Sequence, residues 1–103
     1  MASKGYLSTS VFHVRPGKEQ EFTTLWQNSI CKVAEKSGCK RPAMYHKPNS
    51  PIFMTTGHWQ NEQAFNSFFS SPEAKPLIEK ALALCQKTQP ERMIYEIVEE
   101  RAA

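Results

Sequence analysis

The sequence lacks any apolar run long enough to span a membrane, and residues 1–5 lack the hydrophobic segment of a secretory signal. Its three cysteines, Cys31, Cys39 and Cys85, have neither metal-ligand spacing nor a C-x-x-C pair. We therefore expect reduced thiols in a cytoplasmic protein that contacts no membrane and holds no metal.

An excess of charge of one sign is also missing. The formal net charge is +3, and the lysines and arginines are interspersed with acidic residues. A nucleic-acid-binding surface needs clustered basic residues, so nucleic acid is excluded as a partner. The length of 103 residues, with 22% charged and 40% hydrophobic residues and no repeat or linker, predicts one globular domain over residues 1–103.

Hydrophobic periodicity predicts four strands. Period-two patterns occur over residues 7–14, 43–46, 52–59 and 92–99. The second and third strands are separated by the turn-forming run at residues 47–51, which contains two prolines. Such a short turn predicts that these two strands pair antiparallel.

Apolar residues at steps of three and four predict helices between the strands. One helix begins at Lys18, buries Phe22 and Trp26 on its apolar stripe, and ends near Gly38, the expected left-handed cap. Another begins after Asn61, whose side chain can cap a free N–H group.

The helix predicted after Ser71 has two possible starts, because prolines stand at both Pro72 and Pro76. Pro76 predicts either a distorted turn in a helix begun at Pro72 or a new helix whose first residue is Pro76. The apolar stripe continues to Cys85, and residues 89–90 end the helix. We expect the tail at residues 100–103 to be frayed.

The order strand, helix, strand, strand, helices, strand predicts an α+β, ferredoxin-like βαββαβ fold with an antiparallel sheet and helices on one face. The other face also carries apolar residues, and the chain offers no second layer to cover it. A homodimer that buries this face against a second copy follows from the pattern.

The stretch GHWQNEQAF at residues 57–65, followed by FFSSP at residues 68–72, is the most distinctive part of the chain. Together with residues 14–26, 38–39 and 51–59, it resembles the antibiotic biosynthesis monooxygenase family of dimeric α+β barrel proteins. The resemblance implies a pocket between sheet and helices in each protomer. It also implies a cofactor-free oxygenase acting on a small aromatic or quinol-like molecule, without metal or flavin.

Within that pocket the resemblance assigns Trp59 and Thr55 as catalytic residues. The substrate-binding candidates are Phe68, Ser10, Phe12, Phe53 and Tyr45. The same aromatic residues would also be explained by an ordinary hydrophobic core. The general base is not assigned, because His13, His46 and His58 lie on three different strands and alternation turns His13 and His58 away from Ser10 and Trp59.

Two other functions are compatible with the same fold. The chain is alternatively a non-catalytic, small-molecule-binding or stress-associated dimer. A haem-binding or haem-degrading protein is the third possibility. Where haem-degrading relatives place an axial His, this chain has Ile78, and Phe68 stands where many family members carry a His.

Overall fold

One four-stranded sheet organises the protein, whose computed structural model describes residues 4–86 and 91–101. The sheet order is β2-β3-β1-β4 and all neighbouring strands are antiparallel, which confirms the ferredoxin-like α+β prediction. The elements in chain order are β1 (Tyr6–His13), α1 (Glu19–Leu25), a π-helical segment (Trp26–Ile30), α2 (Cys31–Lys36), β2 (Lys40–His46), β3 (Ile52–Trp59), α3 (Glu62–Ser70), α4 (Ala74–Ala83) and β4 (Glu91–Glu96).

The helices cover one face of the sheet and bury two adjoining hydrophobic clusters there. One cluster packs Trp59 against Phe65 and Phe68 of α3, with Ala34, Cys39 and Ala74 around them. The other surrounds Phe53 with Val14, Phe22, Ala81 and Cys85. None of the helices that the structure describes is both long enough and apolar enough to cross a membrane.

No described helix covers the opposite face, called the far face below; Glu100 lies against one end of it, at His58. Strand register places Met93 beside Thr9, Tyr95 beside Leu7, and Tyr45 beside Met54. Tyr45, Met93 and Tyr95 are 55%, 53% and 49% exposed. Contiguous apolar surface of this kind is unfavourable in water and typically marks an interaction site.

The change from β3 to α3 occurs where the sequence predicts it. The Asn61 side chain accepts a hydrogen bond of 2.8 Å from the Ala64 N–H, as expected of a cap. The next helix, α4, begins at Ala74, between the two predicted starts. Pro76 is tolerated there because it lies in the first turn, where backbone N–H groups have no helical partner.

Several predicted boundaries are wrong. β2 begins at Lys40 instead of residue 43. Its first residues are irregular, since Arg41 adopts a positive φ of 51° and the pairing with β3 shifts register between Lys40 and Ala43. Such a bulge allows Pro42 to stay in a strand at the sheet edge. β4 ends at Glu96 instead of residue 99.

Three other differences concern the helices and the tail. The single helix predicted from Lys18 contains the π-helical segment, and Cys85 lies beyond α4, in a bridge with Val14. The predicted helix end at residues 89–90 lies outside the described residues. The prediction of a frayed tail is wrong for Glu100, whose carboxylate accepts a hydrogen bond of 2.9 Å from His58 Nε2.

Candidate functional site

A mostly apolar cavity of about 60 Å³ lies between the sheet and the helices. The strands β1 and β3 form its floor, and its walls include Trp26 and Ile30 of the π-helical segment. An engineered cavity that holds benzene has a volume of about 150 Å³. The cavity is therefore smaller than a single aromatic ring in this conformation.

Five of the seven predicted site residues meet at the cavity, and two do not. The five that line it are Ser10, Phe12, Thr55, Trp59 and Phe68. Phe53 lies in the neighbouring cluster, with its ring 5.6 Å from that of Phe22 and stacked 4.5 Å from that of His46. Tyr45 lies on the far face, because it pairs with Met54, which points away from the helices.

Sequence patterns did not identify several other lining residues. These are Ser8, Trp26, Ile30, Cys31, Cys39 and Phe69, among others. The place of Ser8 in the cavity could have been predicted, because Ser8 lies two positions before Ser10 and therefore on the same face of the strand. Cys39 had none, because it follows a helix cap and precedes a bulge, where no periodicity applies.

Trp59 is fixed in the wall of the cavity. Its side chain is only 4% exposed, and its indole N–H donates a hydrogen bond of 2.9 Å to Ser8 Oγ. The Ser8 hydroxyl in turn donates to the Gly57 carbonyl at 3.4 Å. The rings of Phe65 and Phe68 lie 5.7 and 5.6 Å from the indole. Trp59 therefore shapes the cavity, and its one polar atom is already paired.

Ser10 and Thr55 place two free hydroxyl groups in the same cavity. They are directly opposite each other in the β1–β3 register, and Ser10 is only 5% exposed. Among the described residues neither hydroxyl has a hydrogen-bond partner. Among the described residues the buried side-chain atom without a partner is His58 Nδ1, so the Ser10 and Thr55 oxygens are accessible from the cavity and can pair with a ligand oxygen there.

The cavity contains no acidic, basic or imidazole side chain among its described lining residues. Its two ionisable groups are the thiols of Cys31 and Cys39. Burial raises the pKa of Cys39 to about 11. The pKa of Cys31 is also raised, mainly by burial and to a smaller extent by the nearby Glu35 carboxylate. Both thiols are neutral at pH 7, and the described residues hold no cluster of three metal-ligating side chains.

Cys39 is expected to resist alkylation by iodoacetamide at pH 8 in the folded protein and to react once the protein is unfolded.

The raised pKa of Cys39 also lowers stability at high pH, because the unfolded thiol ionises near 9.0 and the folded thiol only near 11. The free energy of unfolding should fall by about 1–3 kcal/mol as pH rises through that range. Urea titrations of Cys39→Ser, which has no thiol, should show a shallower decline. An identical decline would contradict the assignment.

Arg92 lies next to this site on β4. Its Cα pairs with that of Ser10, and its guanidinium carbon is 4.3 Å from the centre of the Phe69 ring, which lines the cavity. No carboxylate within the described ranges forms an ion pair with Arg92. The side chain thus presents an uncompensated positive charge held by a cation–π contact.

The fold and this cavity define a ferredoxin-like α+β domain with a buried, hydroxyl-bearing pocket. The family model described as antibiotic biosynthesis monooxygenase matches residues 6–80, and the chain belongs to that family. No curated protein matches the sequence.

Solved structures share the fold over nearly the whole chain. A conserved protein from Methanosarcina mazei is 22% identical with a TM-score of 0.74, covering 89% of this chain and 91% of its own. A variant of SnoaB, a cofactor-independent oxygenase from Streptomyces nogalater, is 16% identical with a TM-score of 0.79, covering 95% and 97%. A protein from Mycobacterium tuberculosis is 13% identical with a TM-score of 0.79, covering 96% and 100%. At these identities the likeness shows the fold alone.

Proposed function

We propose that the protein is a homodimeric, cofactor-independent monooxygenase that oxidises a small aromatic or quinol-like molecule in the cavity beside Trp59. The observation that carries the proposal is the pair of free hydroxyls, Ser10 and Thr55, facing each other in an otherwise apolar space. These groups suit the phenolic oxygen of a flat substrate, while Trp59 and Phe68 exclude water from the reacting ring. Family membership supports the same chemistry, and SnoaB, a cofactor-independent oxygenase, shows that this fold can host it.

A ring can enter only if the cavity widens. The wall at Trp26 and Ile30 is the part best suited to move, because both residues are partly exposed and belong to the π-helical segment. π-helical turns are rare and occur frequently at functional sites. Conversion of this segment to a regular α-helix would change the position of Trp26 relative to the sheet.

The reaction needs an electron-rich substrate, which phenols become when they lose a proton. In the balanced reaction the substrate supplies all the electrons, one oxygen atom of O₂ is added to it and the other leaves as water. The described lining residues contain no general base, so the substrate would bind as its phenolate. The positive charge of Arg92 favours that ionised form and would lower the pKa of a phenol bound near Ser10.

Oxygen uptake with a panel of hydroquinones and anthrone-like phenols, using metal-free protein, tests the proposal. Ser10→Ala and Thr55→Val should each lower kcat/KM about 3–10-fold, since each removes one hydrogen bond. Thr9→Val is the matched control, because Thr9 lies on the far face of β1. Equal rates for all three variants would contradict the assigned roles of the two hydroxyls.

The absence of a base among the described lining residues also favours a second function, namely binding without turnover. If the panel changes the tryptophan fluorescence but consumes no oxygen, the protein is a binding module, since both Trp26 and Trp59 line the cavity. Failure of every compound to bind would overturn both functions. Haem does not fit this cavity, because Ile78 lines it at the position of the expected axial ligand and none of the described lining residues carries an imidazole.

A further inference from the structure

A second groove, distinct from the cavity, lies where β2 and β3 meet the residues after β4. Its volume is about 570 Å³, and Lys4, Lys40 and Arg41 contribute three positive charges to its lining. Glu100 is the one acidic residue among its described lining residues. The groove therefore has the composition of an anion-binding site.

An internal carboxylate already occupies this groove. Glu100 accepts a hydrogen bond of 2.9 Å from His58 Nε2 through one oxygen, and its other oxygen lies 3.4 Å from Arg41 Nη2. The hydrogen bond from His58 lowers the pKa of Glu100, and the Arg41 charge lowers it further. Glu100 is thus ionised at pH 7 and makes the contacts that a bound carboxylate would make.

Both donors belong to strands of the sheet, although the Arg41 side chain itself is 72% exposed, whereas the carboxylate follows the last strand. His58 is a β3 residue with a side chain only 21% exposed, and Arg41 is positioned by its positive φ at the β2 bulge. Glu100 is 47% exposed and follows the end of β4, in a segment without helix or strand. A competing carboxylate can therefore replace Glu100 without disturbing the sheet.

We propose that this groove binds a small-molecule dicarboxylate, which displaces Glu100 from His58 and Arg41. One carboxylate of the ligand would take the place of Glu100. The other would be held by Lys4 and Lys40, neither of which has an ion-pair partner among the described residues. Displacement of Glu100 leaves three cations in the groove, which is enough charge for both carboxylates.

Calorimetric titration of the full chain with succinate at low ionic strength tests this proposal. Because Glu100 competes for the site, Glu100→Gln and Glu100→Ala should each lower the apparent Kd for succinate about tenfold. Arg41→Gln should raise it at least tenfold. Arg101→Gln removes one positive charge, as Arg41→Gln does, but from a residue that pairs with Glu99 and does not line the groove. The apparent Kd for succinate should therefore stay unchanged in Arg101→Gln.

Three results would overturn the proposal. The first is no succinate binding to the Glu100→Ala variant. The second is an equal Kd for all four variants, which would indicate diffuse attraction to net charge. The third is an affinity for inorganic phosphate or acetate equal to that for succinate, which would exclude a dicarboxylate as the ligand. Oxygen uptake is not a readout here, so this test is independent of the function proposed for the cavity.

Discussion

Replacing Gly57 with alanine is expected to lower the free energy of unfolding by about 1–3 kcal/mol. A Cβ atom at this position would lie 2.5 Å from Cys39 Sγ and 3.4 Å from Trp59 Nε1. Alanine would gain about 0.5–1 kcal/mol over glycine in a strand, but the overlap with a buried sulfur outweighs that gain. Urea denaturation monitored by tryptophan fluorescence measures the difference.

Cys39→Ala provides the matched control, because it removes the sulfur that the new methyl group meets. The double variant Gly57→Ala with Cys39→Ala should be more stable than the sum of the two single effects predicts, by about 1 kcal/mol or more. Additive effects would show that Gly57 and Cys39 do not share this space. The tryptophan emission spectrum should also shift in Gly57→Ala alone, since the methyl group lies 3.4 Å from the indole nitrogen of Trp59.

Met93→Lys is expected to convert the proposed dimer to monomers. Met93 is 53% exposed on the far face, so lysine is tolerated in the isolated subunit. In a dimer that buries this face, each subunit would contribute an unpaired ammonium group, at a cost of about 3–5 kcal/mol. The dimer dissociation constant should rise more than a hundredfold, as measured by sedimentation velocity over a range of protein concentrations.

Val98→Lys is the control for this experiment. Val98 is 81% exposed and lies beyond the end of β4, so the same change in charge and size should leave the dissociation constant unchanged. A wild-type protein that is monomeric in dilute solution would contradict the proposed dimer. So would a Met93→Lys variant that dimerises normally.

Much of the fold could be predicted because its signals are local. The alternation over Ile52–Trp59 fixes a strand whose bounds match the prediction, and Asn61 marks the start of α3 by a hydrogen bond three residues away. Alternation puts Thr55 and Trp59 on one face of β3, and the family resemblance assigned these two residues, with Ser10, to a pocket under the helices. These residues then meet at the cavity because antiparallel register aligns β1 with β3.

The features that could not be predicted depend on contacts between distant residues. Phe53 has the same alternation as Trp59, but it lies at the other end of β3 and packs against Phe22 instead of the cavity. The hydrogen bond between Trp59 and Ser8 joins residues 51 positions apart. The contact of Glu100 with His58 spans 42 positions, so no local pattern could have distinguished Glu100 from a frayed terminus.

The bulge at Arg41 and the proline beside it affect how copies of the chain can associate. β2 is an outer strand of the sheet, and a neighbouring molecule could in principle extend the sheet by hydrogen bonding to it. Pro42 offers no N–H to such a strand, and the irregular backbone at Arg41 interrupts the row of donors and acceptors. Intermolecular strand addition is therefore disfavoured at this edge, where a second molecule would meet an irregular backbone instead of a regular row of donors and acceptors.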